Sequence, residues 1–269
     1  MIMMHLLLAC FRKKVEQMTT YILNTIAFKP QLATKGQKEM IDLAKMLGFD
    51  AVEIRNEFLQ GGTTELAQIA DQAKNAKLAL YYSVNDTLFV AGKLNPKFPR
   101  YLNEMRTLKA KHIKLNLGDF GNLTAVELAE LLAPFLDGSF ELRLENDQTK
   151  ANSDLAKTTE FFALITKAQL AHISYCFDIA NWSWLDVSVK KAISELNLVT
   201  QYLHLKNFKR TANGLVVTGL EAGELDWRAL VAQFEAVSEL GFEYESDLAT
   251  LANELNLVKG GDSNVRSSK

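Results

Sequence analysis

Eight short runs rich in Ile, Val, Leu, Tyr and Phe recur along the 269-residue chain, and stretches with helical periodicity separate them. The runs are TYILNTIAF (20–28), DAVEIR (50–55), LALYYS (78–83), HIKLNL (112–117), FELRLE (140–145), HISYCFD (172–178), TQYLHLK (200–206) and GFEYE (241–245). The intervening segments include TKGQKEMIDLAKML, TTELAQIADQAKNA, LTAVELAELLAPFL, SDLAKTTEFFALITKA and DWRALVAQFEAVSEL. Residues able to cap a helix stand near several of their starts: Thr34, Thr63, Thr124, Asn152 and Asp226. Regular alternation of strand and helix predicts a parallel sheet. Eight such units predict a closed (β/α)8 TIM barrel, which typically takes about 250 residues as one domain. An open doubly wound sheet is the competing α/β architecture, but its usual glycine-rich first turn is missing.

Strand parity adds a second constraint, because successive side chains point to opposite faces. His112, Lys114 and Asn116 share one face of their run, and Ile113, Leu115 and Leu117 share the other. Glu141, Arg143 and Glu145 oppose Phe140, Leu142 and Leu144 in the same way. So do His172, Ser174, Cys176 and Asp178 against Ile173, Tyr175 and Phe177, and Glu53 and Arg55 against Val52 and Ile54. The apolar sets would face the helices and the polar sets the barrel axis. Charged groups are costly to bury unless paired, so the pattern predicts a hydrogen-bonded lumen beneath an active site. A purely structural barrel would fill those layers with Val, Ile and Leu.

Four runs carry metal-binding residue types at or near their ends: Glu145, Asp178, His204 and Glu243. The gaps between them are 33, 26 and 39 residues, each about one strand-plus-helix unit. Three carboxylates and one imidazole, one per unit, are a donor set for a divalent cation at the open end of a barrel. Taken singly, each has an ordinary reading: Glu145 a surface acid, Asp178 a helix cap, His204 a core histidine. Glu245 shares the parity of Glu243. Glu53, Arg55 and Glu57 read either as mouth-lining groups or as a buried ion pair. His112 reads as a lumen hydrogen-bonding group and Cys176 as a small buried filler.

The net charge is −2 and the sequence pI is about 6.1, so there is no basic field for a nucleic-acid backbone. Two separated cysteines, Cys10 and Cys176, give no disulfide framework and point to a reducing cytoplasm. The apolar opening MIMMHLLLAC is too short to span a bilayer, and its cationic residues follow it, the wrong order for a secretory signal. Residues 1–17 read as an extension outside the core, 18–258 as a single barrel domain and 259–269 as a disordered tail. No membrane partner is expected.

At LENDQT, FDIANWSW and YLHLKN the sequence resembles the xylose-isomerase-like TIM-barrel superfamily of sugar phosphate isomerases and epimerases. Within it, ENDQT, FDIANW and VEIRNEF are similar to the epimerases encoded with 2-ketogluconate utilisation genes. The likeness runs over most of residues 20–258. It implies a divalent metal (Mn2+, Mg2+, Co2+ or Zn2+) on Glu145, Asp178, His204 and Glu243, with Glu145 and Glu243 also the catalytic acid–base pair. Where the better-known sugar epimerases carry a histidine three residues after the metal aspartate, this chain has Asn181. Arg210 stands at their arginine position six residues after the metal histidine. Candidate substrate contacts are therefore Glu53, Asn181, Trp182, Lys206 and Arg210; Asn146, Asp147 and Lys206 are candidates to support the ligands. Family resemblance makes a homodimer or tetramer the expected assembly.

The chemistry asks for these residue types. Epimerising a ketose, or interconverting aldose and ketose, removes a proton next to a carbonyl. A Lewis acid stabilises the enediolate, and carboxylates on either side of the carbon remove and return the proton. The expected function is a metal-dependent isomerase or epimerase acting on a sugar or sugar acid, phosphorylated or not. A dehydratase of the inosose or dehydroshikimate type uses the same enolate logic and is the alternative. A sugar-binding protein and an abasic-site endonuclease are more distant readings; the latter would want more than four histidines and a basic face. The segment 209–227 is long for a connection, and its Asn213-Gly214 pair predicts a hairpin beside the site.

Overall fold

A computed structural model describes residues 19–234 and 237–267. Eight strands form a closed parallel barrel: β1 (Thr20–Asn24), β2 (Ala51–Arg55), β3 (Ala79–Val90), β5 (His112–Gly118), β6 (Glu141–Glu145), β7 (Ile173–Asp178), β8 (Thr200–Leu205) and β11 (Glu239–Phe242). Each pairs in parallel with the next, and β11 closes the ring onto β1. Three short strands lie outside it. β4 (Lys93–Leu94) pairs back on the end of β3, while β9 (Asn207–Thr211) and β10 (Gly214–Thr218) form the hairpin expected at Asn213-Gly214. The proposed N-terminal extension lies outside the described residues.

The parity of the strands decides what packs where. Tyr175 and Phe177 point outward from β7 and meet Phe162, Trp182 and Phe234 edge-on or tilted at 5.1–6.0 Å between ring centroids. Each such ring buried contributes about 1.5–3 kcal/mol. Inside the barrel, Ile22, Ala51, Tyr81, Cys176 and Tyr202 make a small separate apolar layer. Arg143 passes its guanidinium between Tyr81 and Tyr202, 5.7 and 5.2 Å from their ring centres, and ion-pairs with Glu239. That layer plugs the N-terminal end, and the charged groups stack above it toward the C-terminal end.

Several boundaries differ from expectation for local reasons. The first run stops at Asn24, whose side chain accepts from Ile26 N and opens a 3-10 turn over Thr25–Phe28. Thr34 falls inside a short helix (Lys29–Lys35) and caps nothing; the following helix starts at Lys38 without a side-chain cap. Gly61, not Thr63, precedes the next helix, and Asp154, not Asn152, caps the helix over Leu155–Lys167. Thr124 and Asp226 do cap, Thr124 through a reciprocal capping box with Glu127. The last barrel strand covers Glu239–Phe242, two residues earlier than its run suggested. The tail expected to be disordered continues the C-terminal helix, Leu248–Ser267. Its earlier turns are anchored by buried Leu251, Leu255 and Val258. A glycine pair costs such a helix roughly 1 kcal/mol per residue without ending it.

Candidate metal centre

The C-terminal end of the barrel gathers the four polar strand tips. Glu145 and Asp178 are the last residues of β6 and β7, His204 is the penultimate residue of β8, and Glu243 follows β11 directly. One donor atom from each of these four lies within 4.8 Å of all the others. His204 Nδ1 is 2.5 Å from Glu145 Oε1 and 3.2 Å from Glu243 Oε2. The expected alternative, Glu245, instead pairs on the surface with Lys29 at 3.0 Å.

Each donor is held from behind. Asp178 Oδ1 accepts from the backbone of Ala180 and Asn181 at 2.8 and 2.9 Å, which orders the entry to the 3-10 turn over Asn181–Leu185; the cap position itself is Ala180, not Asp178. Asn146 clamps β6 to β7: its Oδ1 accepts from Asp178 N at 2.9 Å and its Nδ2 donates to Asp178 O at 3.1 Å. Asn181 completes the clamp through Nδ2 to Asn146 O at 2.8 Å. Asp147 points elsewhere and orders its own loop, accepting from Asn116 and Asn152. Beneath His204, Glu53 Oε2 lies 3.3 Å from Nε2 and accepts from Tyr202 Oη at 2.7 Å. A carboxylate behind one imidazole nitrogen fixes the ring and directs the other nitrogen outward, the usual support of a metal-binding histidine.

Two lysines enter the same cluster. Lys206 Nζ stands 2.7 Å from Asp178 Oδ2 and 3.0 Å from Glu243 Oε2. Lys114 Nζ stands 2.8 Å from Glu145 Oε2 and 2.9 Å from Glu53 Oε1. Arg55 adds a 2.8 Å contact to Glu243 Oε1. Four carboxylates against three fixed cations leave one negative charge before His204 is counted. Burial opposes every charged form here, yet the neighbours dominate. Lys114 and His204 hold Glu53 well below the usual carboxylate range. His204, Lys206 and Lys114 do the same for Glu243. Asp178 goes the other way: burial, reinforced by Glu243 and Glu145, outweighs Lys206 and raises it. Against its own burial, Cys176, Glu145 and Glu243 raise His204 well above the ordinary histidine range, and a divalent ion would have to displace that proton to use the ring nitrogen.

The donor chemistry fits a divalent cation. Three buried carboxylates converge on an imidazole already backed by Glu53. Glu145 Oε1 and Asp178 Oδ2 are buried without a well-aligned hydrogen-bond donor, although both are within reach of cations. Glu145, Asp178, His204 and Glu243 would hold the ion.

A cavity of about 630 Å³ opens directly above, lined among others by Arg55, Asn116, Glu145, Asn181, Lys206 and Glu243. The exposed valines Val216 and Val217 of the β9–β10 hairpin form part of its wall. Of the expected substrate contacts, Asn181 and Lys206 face this cavity. Glu53 does not; it is 1% exposed and belongs to the floor. Trp182 is fully buried against Phe177 and cannot offer a face to a sugar. Arg210 points to solvent on β9 and pairs with Glu224 at 3.6 Å, because the hairpin turns its side chain off the mouth. Lys114 and Arg55 are central to the charge balance; their lumen-side parity was the available signal. Cys176 is buried close to Glu145 and His204, its thiol pushed up to about 12 by burial.

No sequence-family model and no curated protein matches the chain. Solved structures match its fold over most of their length. An L-ribulose 3-epimerase aligns over 93% of this chain and 96% of its own, at 16% identity and a TM-score of 0.68. The probable 3-DHS dehydratase AsbF from Bacillus anthracis aligns over 89% and 98%, at 16% identity and a TM-score of 0.62. A family 2 AP endonuclease from Brucella melitensis aligns over 89% and 99%, at 14% identity and a TM-score of 0.59. The chain therefore has the fold of the xylose isomerase-like TIM-barrel enzymes. Among the described residues, no helix is long and apolar enough to cross a membrane.

Proposed function

We propose that this protein is a metal-dependent isomerase or epimerase of a sugar or sugar acid. The observation that carries the reading is the convergence of Glu145, Asp178, His204 and Glu243 under a cavity of about 630 Å³. That volume suits a small carbohydrate. Similarity of fold to sugar epimerases supports the class, and the same fold serves a dehydratase, so the chemistry rests on the site.

A divalent cation bound by the four donors supplies Lewis-acid stabilisation to charge developing on a substrate carbonyl oxygen. Glu145 and Glu243 come from strands that are not neighbours in the ring and both border the cavity. One carboxylate takes the proton from the carbon beside the carbonyl, and the other returns a proton to the opposite face. Lys206 offers an ammonium to substrate oxygens at the same level. Asn116 and Asn181 supply neutral amides suited to hydroxyl groups. Val216 and Val217 limit access of water from the hairpin side.

A panel of keto-sugars and sugar acids, incubated in D2O with Mn2+, Mg2+, Co2+ or Zn2+, tests this. Deuterium should enter one carbon of a turned-over substrate with its composition otherwise unchanged. Loss of water by mass spectrometry would assign the dehydratase reaction instead, and no exchange with any substrate and metal would count against the whole class.

A further inference from the structure

The carboxylates at the barrel mouth divide their oxygens between two positions. Glu145 turns Oε1 toward His204 Nδ1 (2.5 Å) and Oε2 toward Lys114 Nζ (2.8 Å). Glu243 turns Oε2 toward His204 and Lys206 (3.2 and 3.0 Å), while its Oε1 is paired with Arg55 at 2.8 Å and lies 3.6 Å from Lys114 Nζ. Asp178 serves only the outer position, beside Lys206. Glu53 serves the inner one, with Oε1 at 2.9 Å from Lys114 Nζ. Glu145 thus bridges an inner and an outer position at contact distance, with Glu53 closing the inner one, as a carboxylate does between the two ions of a two-cation centre.

We propose that the Lys114 ammonium is a covalently installed cation filling the inner position, so that the centre takes one exchangeable divalent ion where its carboxylates alone would take two. The outer ion rests on the reading given under Proposed function; the inner position does not. Three features favour this over an ordinary buried ion pair. First, one carboxylate would neutralise a lysine, whereas Glu145 and Glu53 both contact Lys114 at 2.8 and 2.9 Å and Glu243 lies 3.6 Å away. Second, Nζ also lies beside the His204 ring, 3.4 and 3.3 Å from its two nitrogens, so the inner position adjoins the outer one directly. Third, Lys114 is only 4% exposed, and a buried ammonium is retained at a desolvation cost that a hydrophobic residue would avoid. Divalent ions sit about 2.0–2.6 Å from carboxylate oxygens, so an ion replacing Nζ would draw Glu145 and Glu53 in by about a few tenths of an ångström, and Glu243 by about 1 Å if it joined them.

The consequence concerns charge as well as count. A lysine cannot be removed by chelation, and it leaves the outer ion as the sole exchangeable charge. Lys114 stays beside Glu145 and Glu53 whether or not that ion is present.

The test is a count of bound Mn2+ per chain by equilibrium dialysis and elemental analysis, on wild type and Lys114→Met. The variant should hold one more Mn2+ than wild type. Its EPR spectrum should show the exchange coupling of two carboxylate-bridged ions, which a structural lysine would not predict. The variant should also melt below wild type in EDTA and recover in millimolar Mn2+. A folded Lys114→Met with the wild-type count overturns the proposal. If Lys114→Met stays unfolded even in Mn2+ while Lys114→Met/Glu53→Gln folds, the proposal is overturned as well. Wild type binding no Mn2+ would remove the proposed function, yet the difference between the two proteins would still decide the inner position.

Discussion

Glu243 lies within ion-pair reach of Arg55, Lys114, Lys206 and His204. A carboxyl so surrounded stays ionised far below neutral pH, which makes it always available and intrinsically a weak base. Its usefulness in proton transfer then depends on how well the substrate anion is stabilised. Glu243→Gln should lower solvent-proton exchange by at least about 100-fold, the usual size of a general-base contribution. Exchange at the wild-type rate would remove Glu243 from the mechanism. A second residue prediction concerns His112 at the other end of the barrel. It stacks on Tyr81 at 4.1 Å, with Arg143 and Glu239 beside it. Burial and then Arg143 push it down to about 4. Between the ordinary histidine value and about 4, the unfolded chain binds a proton that the native protein refuses, so stability falls as pH falls through that window. Denaturant midpoints should place His112→Phe about 1–2 kcal/mol less sensitive than wild type to a change from pH 7 to 5. Equal sensitivity would mean that His112 protonates freely in the native state. Parity in HIKLNL and FELRLE made Lys114, Arg143 and Glu145 legible as axis-facing. Which of them meet was not legible, because that depends on strands far apart in sequence, as with Lys114 and Glu53.

At the scale of the element, the closing strand β11 is tied to the centre through Gly241. A Cβ there would collide with the Tyr202 hydroxyl, the group that donates to Glu53 beneath His204. Tyr202 is fully buried and has nowhere to move. Gly241→Ala should therefore cost about 1–3 kcal/mol and weaken metal binding too, measured by thermal melts and Mn2+ titration. An unchanged affinity would uncouple Tyr202 and Glu53 from the site. The β9–β10 hairpin behaves differently. Val216 and Val217 are 51% and 37% exposed, so replacing either with Ser should change stability by less than about 0.5 kcal/mol. If the hairpin walls the substrate, KM should rise in both variants; an unchanged KM would make it a bystander. The hairpin was legible from Asn213-Gly214. Arg210 was misplaced because spacing from His204 says nothing about which way a strand outside the barrel turns its side chains. The last strand was read as ending three residues late because EYE continues the alternation of GFEYE, while Tyr244 is in fact turned to bond Glu254 on the C-terminal helix.

The whole molecule is a barrel whose two ends do different work. Arg143, Tyr81 and Tyr202 pack the N-terminal end, and acids and ammonium groups fill the C-terminal end. Eight alternating units made the closed barrel legible, since each strand needed a crossover to return it parallel. Compensation across the barrel was less legible, because composition records a net charge of −2 without recording where opposite charges meet. The most direct measurement of the central claim is substrate deuterium incorporation in D2O, followed on chelated protein, on protein restored with Mn2+, and on Glu145→Gln and Glu243→Gln restored likewise. Incorporation should be absent after chelation, return with Mn2+ and stay lost in both variants. Incorporation that survives chelation and both substitutions would contradict metal-assisted proton transfer at this centre.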